Sequence, residues 1–193
     1  MATIGKISPG NRKLGKSPAI ASWNIPAGPT CPGATAWCAK YCYAKKIERI
    51  YTNSRIAYAR NYGATIPALD ARVQYVRIHA NGDFYNVNYI QEWTDYARAN
   101  PGVLFWAYTR SWRVPDLLPS LETVRALPNM QLFASVDPST PENPPIGWRV
   151  AYVDGTPDQS GYPCPEQSDR KESCLACGYC FKGKKHNVVF GEH

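Results

Sequence analysis

The sequence predicts an α/β protein, built as an open partial (β/α) barrel of mostly parallel strands with a Cys-rich C-terminal extension. Three observations predict it. Near-continuous apolar strands alternate with helical stretches, the pattern of a parallel sheet covered on both faces. About four or five such units are present, too few for a closed eight-stranded barrel. The 7 cysteines of the 193-residue chain fall in two tight groups, the second beyond the last apolar strand. With 44% hydrophobic and 19% charged residues the chain is not disordered.

Residues 1–18 are rich in Gly, Lys, Ser and Pro and read as a basic extended arm. The core follows over residues 19–153. Ala19–Ile25 is a short strand stopped by Pro26. Residues 37–62 hold helix formers without Gly or Pro and stop at Gly63, the pattern of one helix with a glycine after it. Val73–His79 is β-branched and aromatic and enters a loop at Asn81-Gly82. Tyr85–Asn100 reads as a helix, Val103–Thr109 as a buried strand, Pro115–Leu127 as a helix, Met130–Val136 and Trp148–Val153 as strands. Residues 138–165 carry 7 prolines and little pattern of their own. Residues 154–193 form the Cys-rich extension, packed on the core. In sheets of this kind the site lies at the carboxyl ends of the strands.

No run reaches the roughly 18 apolar residues of a membrane helix, and no secretory signal is visible, so a cytoplasmic location is expected. The net charge of +7 is unevenly placed. Residues 1–60 hold 10 Lys/Arg against Glu48, a balance of +9, while the remainder balances to −2. Such asymmetry points to nucleic acid or a nucleic-acid-binding protein as partner. Lys45, Lys46 and Arg49 are the candidate contacts, interleaved with Tyr41, Tyr51 and Tyr58, which suit base stacking. A solvated basic face is the competing reading.

Cys31, Cys38 and Cys42 form the first cysteine group. On one helix Cys38 and Cys42 would share a face, about 6 Å apart, with Cys31 folding back toward them. Cys164, Cys174, Cys177 and Cys180 form the second. Its C-x2-C-x2-C core suits an iron–sulfur cluster, and four thiolates also suit tetrahedral zinc. Ordinary buried cysteines are the alternative, but two tight groups with none elsewhere favour metal ligation.

The segments N-R-K-L-G-K-S-P (11–18), I-P-A-G-P-T-C-P-G-A (25–34), C-A-K-Y-C-Y-A (38–44), R-I-H-A-N-G-D-F (77–84), Y-T-R-S (108–111) and C-L-A-C-G-Y-C-F (174–181) resemble the phage and plasmid family known as gene product eighty-eight, over nearly the whole chain. That family looks like a relative of the radical S-adenosylmethionine (SAM) enzymes. The resemblance implies a [4Fe–4S] cluster on Cys31, Cys38 and Cys42 with one iron left for SAM. It implies SAM contacts from Asn81, Gly82 and Asp83, and an auxiliary cluster on the second cysteine group. The spacing departs from the usual C-x3-C-x2-C, being C-x6-C-x3-C here. His79 competes as fourth ligand of the first cluster, and a closed site of that kind would be structural or redox-sensing. The expected function is therefore an iron–sulfur protein, either a SAM-dependent radical enzyme acting on a nucleic-acid-related substrate or a non-catalytic iron–sulfur or zinc-stabilised binding module.

Overall fold

The computed structural model describes residues 3–183 and 186–191, so the outermost residues of the expected arm and parts of the extension lie outside them. In chain order the elements are β1 (Ser8–Pro9), β2 (Ile20–Trp23), α1 (Ala36–Lys40), α2 (Tyr43–Ile50), α3 (Thr52–Asn61), β3 (Tyr75–Ile78), α4 (Val87–Ala99), β4 (Leu104–Thr109), α5 (Leu118–Arg125), β5 (Met130–Val136), β6 (Arg149–Val153), β7 (Tyr162–Pro163), α6 (Cys174–Cys177) and β8 (Val188–Phe190). The strands form one eight-stranded sheet in the order β1-β2-β3-β4-β5-β6-β8-β7. Among the described residues only the β1–β2 pair is antiparallel. The sheet is open, with β1 and β7 at its edges; the expected mostly parallel α/β architecture is present, and no barrel closes. No helix among the described residues is long and apolar enough to cross a membrane.

Side chains alternate across a strand, and both faces are covered. On one face Val76, Ile78, Phe105, Ala107, Leu132 and Ala134 meet Ile90, Trp93 and Ala97 of α4 and Leu121 and Val124 of α5. The apolar positions of α4 recur at helical spacing, and Asn86 caps it by accepting from the Tyr89 N–H at 2.8 Å. The opposite face presents Ile20, Tyr75, Trp106, Tyr108 and Phe133. It is covered by Leu14, Leu175, Phe181 and the second cysteine group.

One expectation is corrected. The single helix over 37–62 is instead α1, α2 and α3. No Gly or Pro breaks it; tertiary contacts do. Glu48 accepts from the Ala27 N–H at 2.8 Å and Tyr43 donates to the Ala80 carbonyl, which turns α2 onto the loops after β2 and β3. The N-terminal segment is tied to the sheet. Its β1 pairs with β2, Leu14 is buried, and the carbonyls of Lys13 and Leu14 accept from the Cys174 and Leu175 N–H groups. From the C-terminal segment, β7 and β8 extend the sheet beyond β6.

Candidate metal centre in a shared cavity

The loop after β2 carries Cys31 and ends at Thr35, which caps α1 by accepting from the Cys38 N–H at 3.0 Å. The Thr35 hydroxyl also donates to Asp137 at 2.6 Å, and Arg110 Nε donates to the same carboxylate oxygen at 3.1 Å. This network clamps the loop onto the ends of β4 and β5. Burial would raise the Asp137 pKa, but the bonds from Thr35 and the Arg110 charge outweigh it and hold the carboxyl below its ordinary value. Arg113 adds a bond to the Gly33 carbonyl at 2.9 Å. Cys42 does not share a helix with Cys38, because it is the residue before α2, with extended backbone. The two thiols still act on each other electrostatically.

The second group is held from several directions. The Cys164 N–H donates to the Val189 carbonyl of β8 at 2.8 Å. Ser173 caps α6, which carries Cys174 and Cys177, and Gly178 ends that turn in the left-handed conformation (φ 66°) that favours glycine. Cys180 follows, beside Phe181.

None of the seven cysteines is in a disulfide, and all seven line one cavity of about 210 Å³. Its wall includes Trp106, Tyr108 and Phe181 from the inner face and Arg77, Asp83 and Arg110 near the strand ends. Burial pushes the Cys31 thiol up to about 12, with Asp83 adding to the effect. It raises Cys38 as well, against the pull of Arg110. Burial also moves Cys174 to about 11 and Cys180 to about 12. These thiols are protonated at neutral pH.

Among the described residues no three His, Cys, Asp or Glu side chains stand close enough to hold a metal ion as placed. The expected convergence of each cysteine group is therefore absent, and for the first group the broken helix is the reason. The donor set nevertheless suits a thiophilic metal: seven thiols line a common cavity with a largely apolar wall.

The other candidate residues divide. His79 is buried in the left-handed region (φ 63°). Its Nε2 lies 2.7 Å from the Tyr89 hydroxyl, which accepts from Trp23 Nε1 at 2.9 Å. Among the described residues the buried Nδ1 has no hydrogen-bond partner. Burial and Arg77 hold this imidazole neutral, down to about 3. Asp83 is also buried; one of its oxygens accepts from the Phe84 N–H and the other from the Arg110 N–H, both at 2.7 Å. Gly82 (φ 82°) lies against Ile25 and Thr30, so a Cβ there would strike the loop after β2. Asn81 accepts from the Ile25 N–H through its carbonyl and turns its amide to Glu48, away from the cavity wall. Lys45, Lys46 and Arg49 are placed on α2, beside exposed Tyr41, Ile50 and Tyr51; Lys45 and Lys46 carry the charge nearest its start and Arg49 lies in its last turn.

Sequence reading missed Arg77 and Tyr108. Arg77 carried a signal: a permanent charge inside the apolar run Val76–Ile78 is costly to bury and calls for a reason. Arg110 and Asp137 each directly follow an apolar strand, where sites collect.

The comparisons give kinship. The chain is 31% identical to the Gene 88 protein of Mycobacterium phage L5, covering 94% of this chain and 89% of that protein. It is 29% identical to the Gene 88 protein of Mycobacterium phage D29, with the same coverage. Neither name states an activity or a cofactor. No solved structure matches. Residues 5–185 match the family model described as Gene product 88, and the chain belongs to that family.

Proposed function

We propose that this protein is an iron–sulfur protein. In this reading Cys31, Cys38 and Cys42 hold one [4Fe–4S] cluster. Cys164, Cys174, Cys177 and Cys180 hold a second, or zinc. One observation carries it: all seven unpaired cysteines line a single cavity. Chance burial of free cysteines would scatter them through the core. Three thiols leave a coordination position for an exogenous donor, which in the radical SAM reading is SAM. A cluster bound there would supply a single electron to SAM. The chain's own residues hold the frame. Asp137, Thr35 and Arg110 fix the first cysteine loop, and Trp106, Tyr108 and Phe181 keep the cavity wall dry.

The non-catalytic module is the second reading, favoured by Asp83. Both of its oxygens are spent on backbone N–H groups, so it is poorly free to receive an amino group. In that reading the centres tie the loop after β2 and the C-terminal segment to the sheet.

The test is iron, sulfide and zinc analysis of anaerobically purified wild type, Cys42→Ala and Cys177→Ala. Each variant is expected to lose the metal of its own group and keep the other. Identical loss in both would mean one shared centre, and full metal content in both would end the reading. Adding SAM and a strong reductant separates the two versions: release of 5′-deoxyadenosine supports the enzyme, and its absence with an unchanged cluster spectrum supports the module.

The nucleic-acid partner belongs to the same proposal. It is supported by the placement of Lys45, Lys46 and Arg49 on α2 beside exposed Tyr41 and Tyr51. Reversing these three charges to Glu is expected to weaken binding to a duplex or single strand. Each phosphate that the variant no longer neutralises should flatten the log–log salt slope by about 0.7–0.9. Unchanged affinity would leave the basic helix a solubility feature.

A further inference from the structure

Arg77 lies on the inner face of the sheet, in register with Ser22 of β2 and Trp106 of β4. Among the described residues its buried Nε has no hydrogen-bond partner. Its guanidinium stands 5.3 Å from the Tyr108 ring centre, and among the described residues no carboxylate pairs with it. Arg149, another guanidinium near the second cysteine group, is different. It donates to the carbonyls of Tyr179 at 3.3 Å and Cys180 at 3.2 Å, and to Gln131 at 3.0 Å. Arg149 is therefore used up in holding the chain, whereas Arg77 is a cation in waiting.

A guanidinium does not give up its proton, and a buried charge without a counter-charge is destabilising. The groups that act on Arg77 are Tyr43, Tyr108, Cys174 and Cys180, phenols and thiols rather than carboxylates. Cys174 and Cys180 pack with Tyr75 and Tyr108 around Trp106 and Phe181 on the same face, and both line the cavity that Arg77 lines. Of these four, only the cysteines become lasting anions on ligation, since a metal binds thiolate. A four-thiolate centre carries net negative charge whether it holds zinc or an iron–sulfur cube.

We propose that Arg77 is the built-in counter-cation of a metal–thiolate centre at Cys164, Cys174, Cys177 and Cys180. It sits ready in the metal-free protein and gains its partner when the centre forms. The inference rests on the metal-holding reading of that group and adds to it the residue that balances its charge. Arg77 is a positioning residue: it acts on the thiolates and not on the metal. It makes the metal-free fold less stable and the loaded fold more stable than a neutral side chain of the same length would.

The test uses the full chain, with zinc ion as the probe and a chromophoric chelator as competitor. Wild type, Arg77→Met, Arg77→Lys and Cys177→Ala are compared by zinc affinity and by thermal unfolding with and without zinc. Arg77→Met is expected to weaken zinc binding about 10- to 100-fold, the usual effect of losing a group that supports metal ligands. It should match or exceed wild type in metal-free Tm and gain less from zinc. Arg77→Lys, which keeps the charge, should recover most of the affinity. Wild-type affinity in Arg77→Met, or an equal zinc-induced rise in Tm, would overturn the inference while leaving the metal site standing. Zinc binding by wild type that Cys177→Ala does not diminish would instead end the reading of the site, and the inference with it. A metal-free Arg77→Met that melts far below wild type would also overturn it, because Arg77 would then be stabilising the fold without any thiolate partner.

Discussion

Phe181→Ala is expected to lower stability by about 3–5 kcal/mol, the range for truncating a fully buried aromatic side chain. For a chain of this size that is a fall in Tm of roughly 6–20 °C. Phe181 is 2% exposed and lies beyond α6, outside the sheet. Its ring centre is 4.7 Å from those of both Tyr75 and Trp106, on neighbouring strands β3 and β4. With Leu14 from the N-terminal segment it closes the second core. The ring therefore ties the cysteine-bearing segment to the sheet, and its removal acts at two levels. The cavity left behind costs packing, and Cys174 and Cys180 lose the wall that positions them. Denaturant unfolding measures the first effect. Alkylation of Cys174 and Cys180 under native conditions measures the second, and it should speed up in the variant. Normal stability would mean that the C-terminal segment is held by something other than this ring.

The strands from β2 to β6 were legible because period and burial agree in them. Met130–Val136 is apolar at nearly every position, and both of its faces are covered. The inner face was not legible, for physical reasons that particular residues show. Phe181 sits in a Cys- and Gly-rich stretch with no period, so nothing local marks it as core. β8 is three residues long, and β7 two. Such strands are specified by their neighbours in the sheet rather than by their own pattern. Residues 37–62 carry helix propensity along their length, yet Tyr43 and Glu48 bond to segments far off in sequence and divide the stretch. The cysteine groups were legible from spacing alone. That both face one cavity was not, because it depends on the C-terminal chain crossing back under β3 and β4. The same holds for Asp83. Its place after a strand end suggested a ligand contact, while its two backbone bonds, which tie the loop after β3 to the end of β4, arise only in the folded sheet.

If the proposed metal centres form, Gly33→Ala is expected to strip metal from the first cysteine group while leaving the second loaded. Gly33 lies between Cys31 and Cys38, and its backbone is pressed against the Arg110 backbone, where a Cβ would overlap the carbonyl group. Backbone cannot yield as the tip of a side chain does, so the loop itself has to lift. Lifting it stretches the Arg113 bond to the Gly33 carbonyl and the Thr35 bond to Asp137, at 2.9 and 2.6 Å. These are the bonds that set Cys31 and Cys38 over the strand ends. The cost in stability should be about 1–3 kcal/mol, as for other overpacked sites. The damage to the site should be larger, because metal ligands tolerate little displacement. Metal content and thiol labelling of Cys31 and Cys38 in Gly33→Ala, set beside Cys42→Ala, make the comparison. If the first group alone loses its metal in both, the close approach of Gly33 to Arg110 is what holds the ligand loop in place. Full metal content in Gly33→Ala, with wild-type labelling, would show that the loop is positioned by its cysteines and not by its seat on β4.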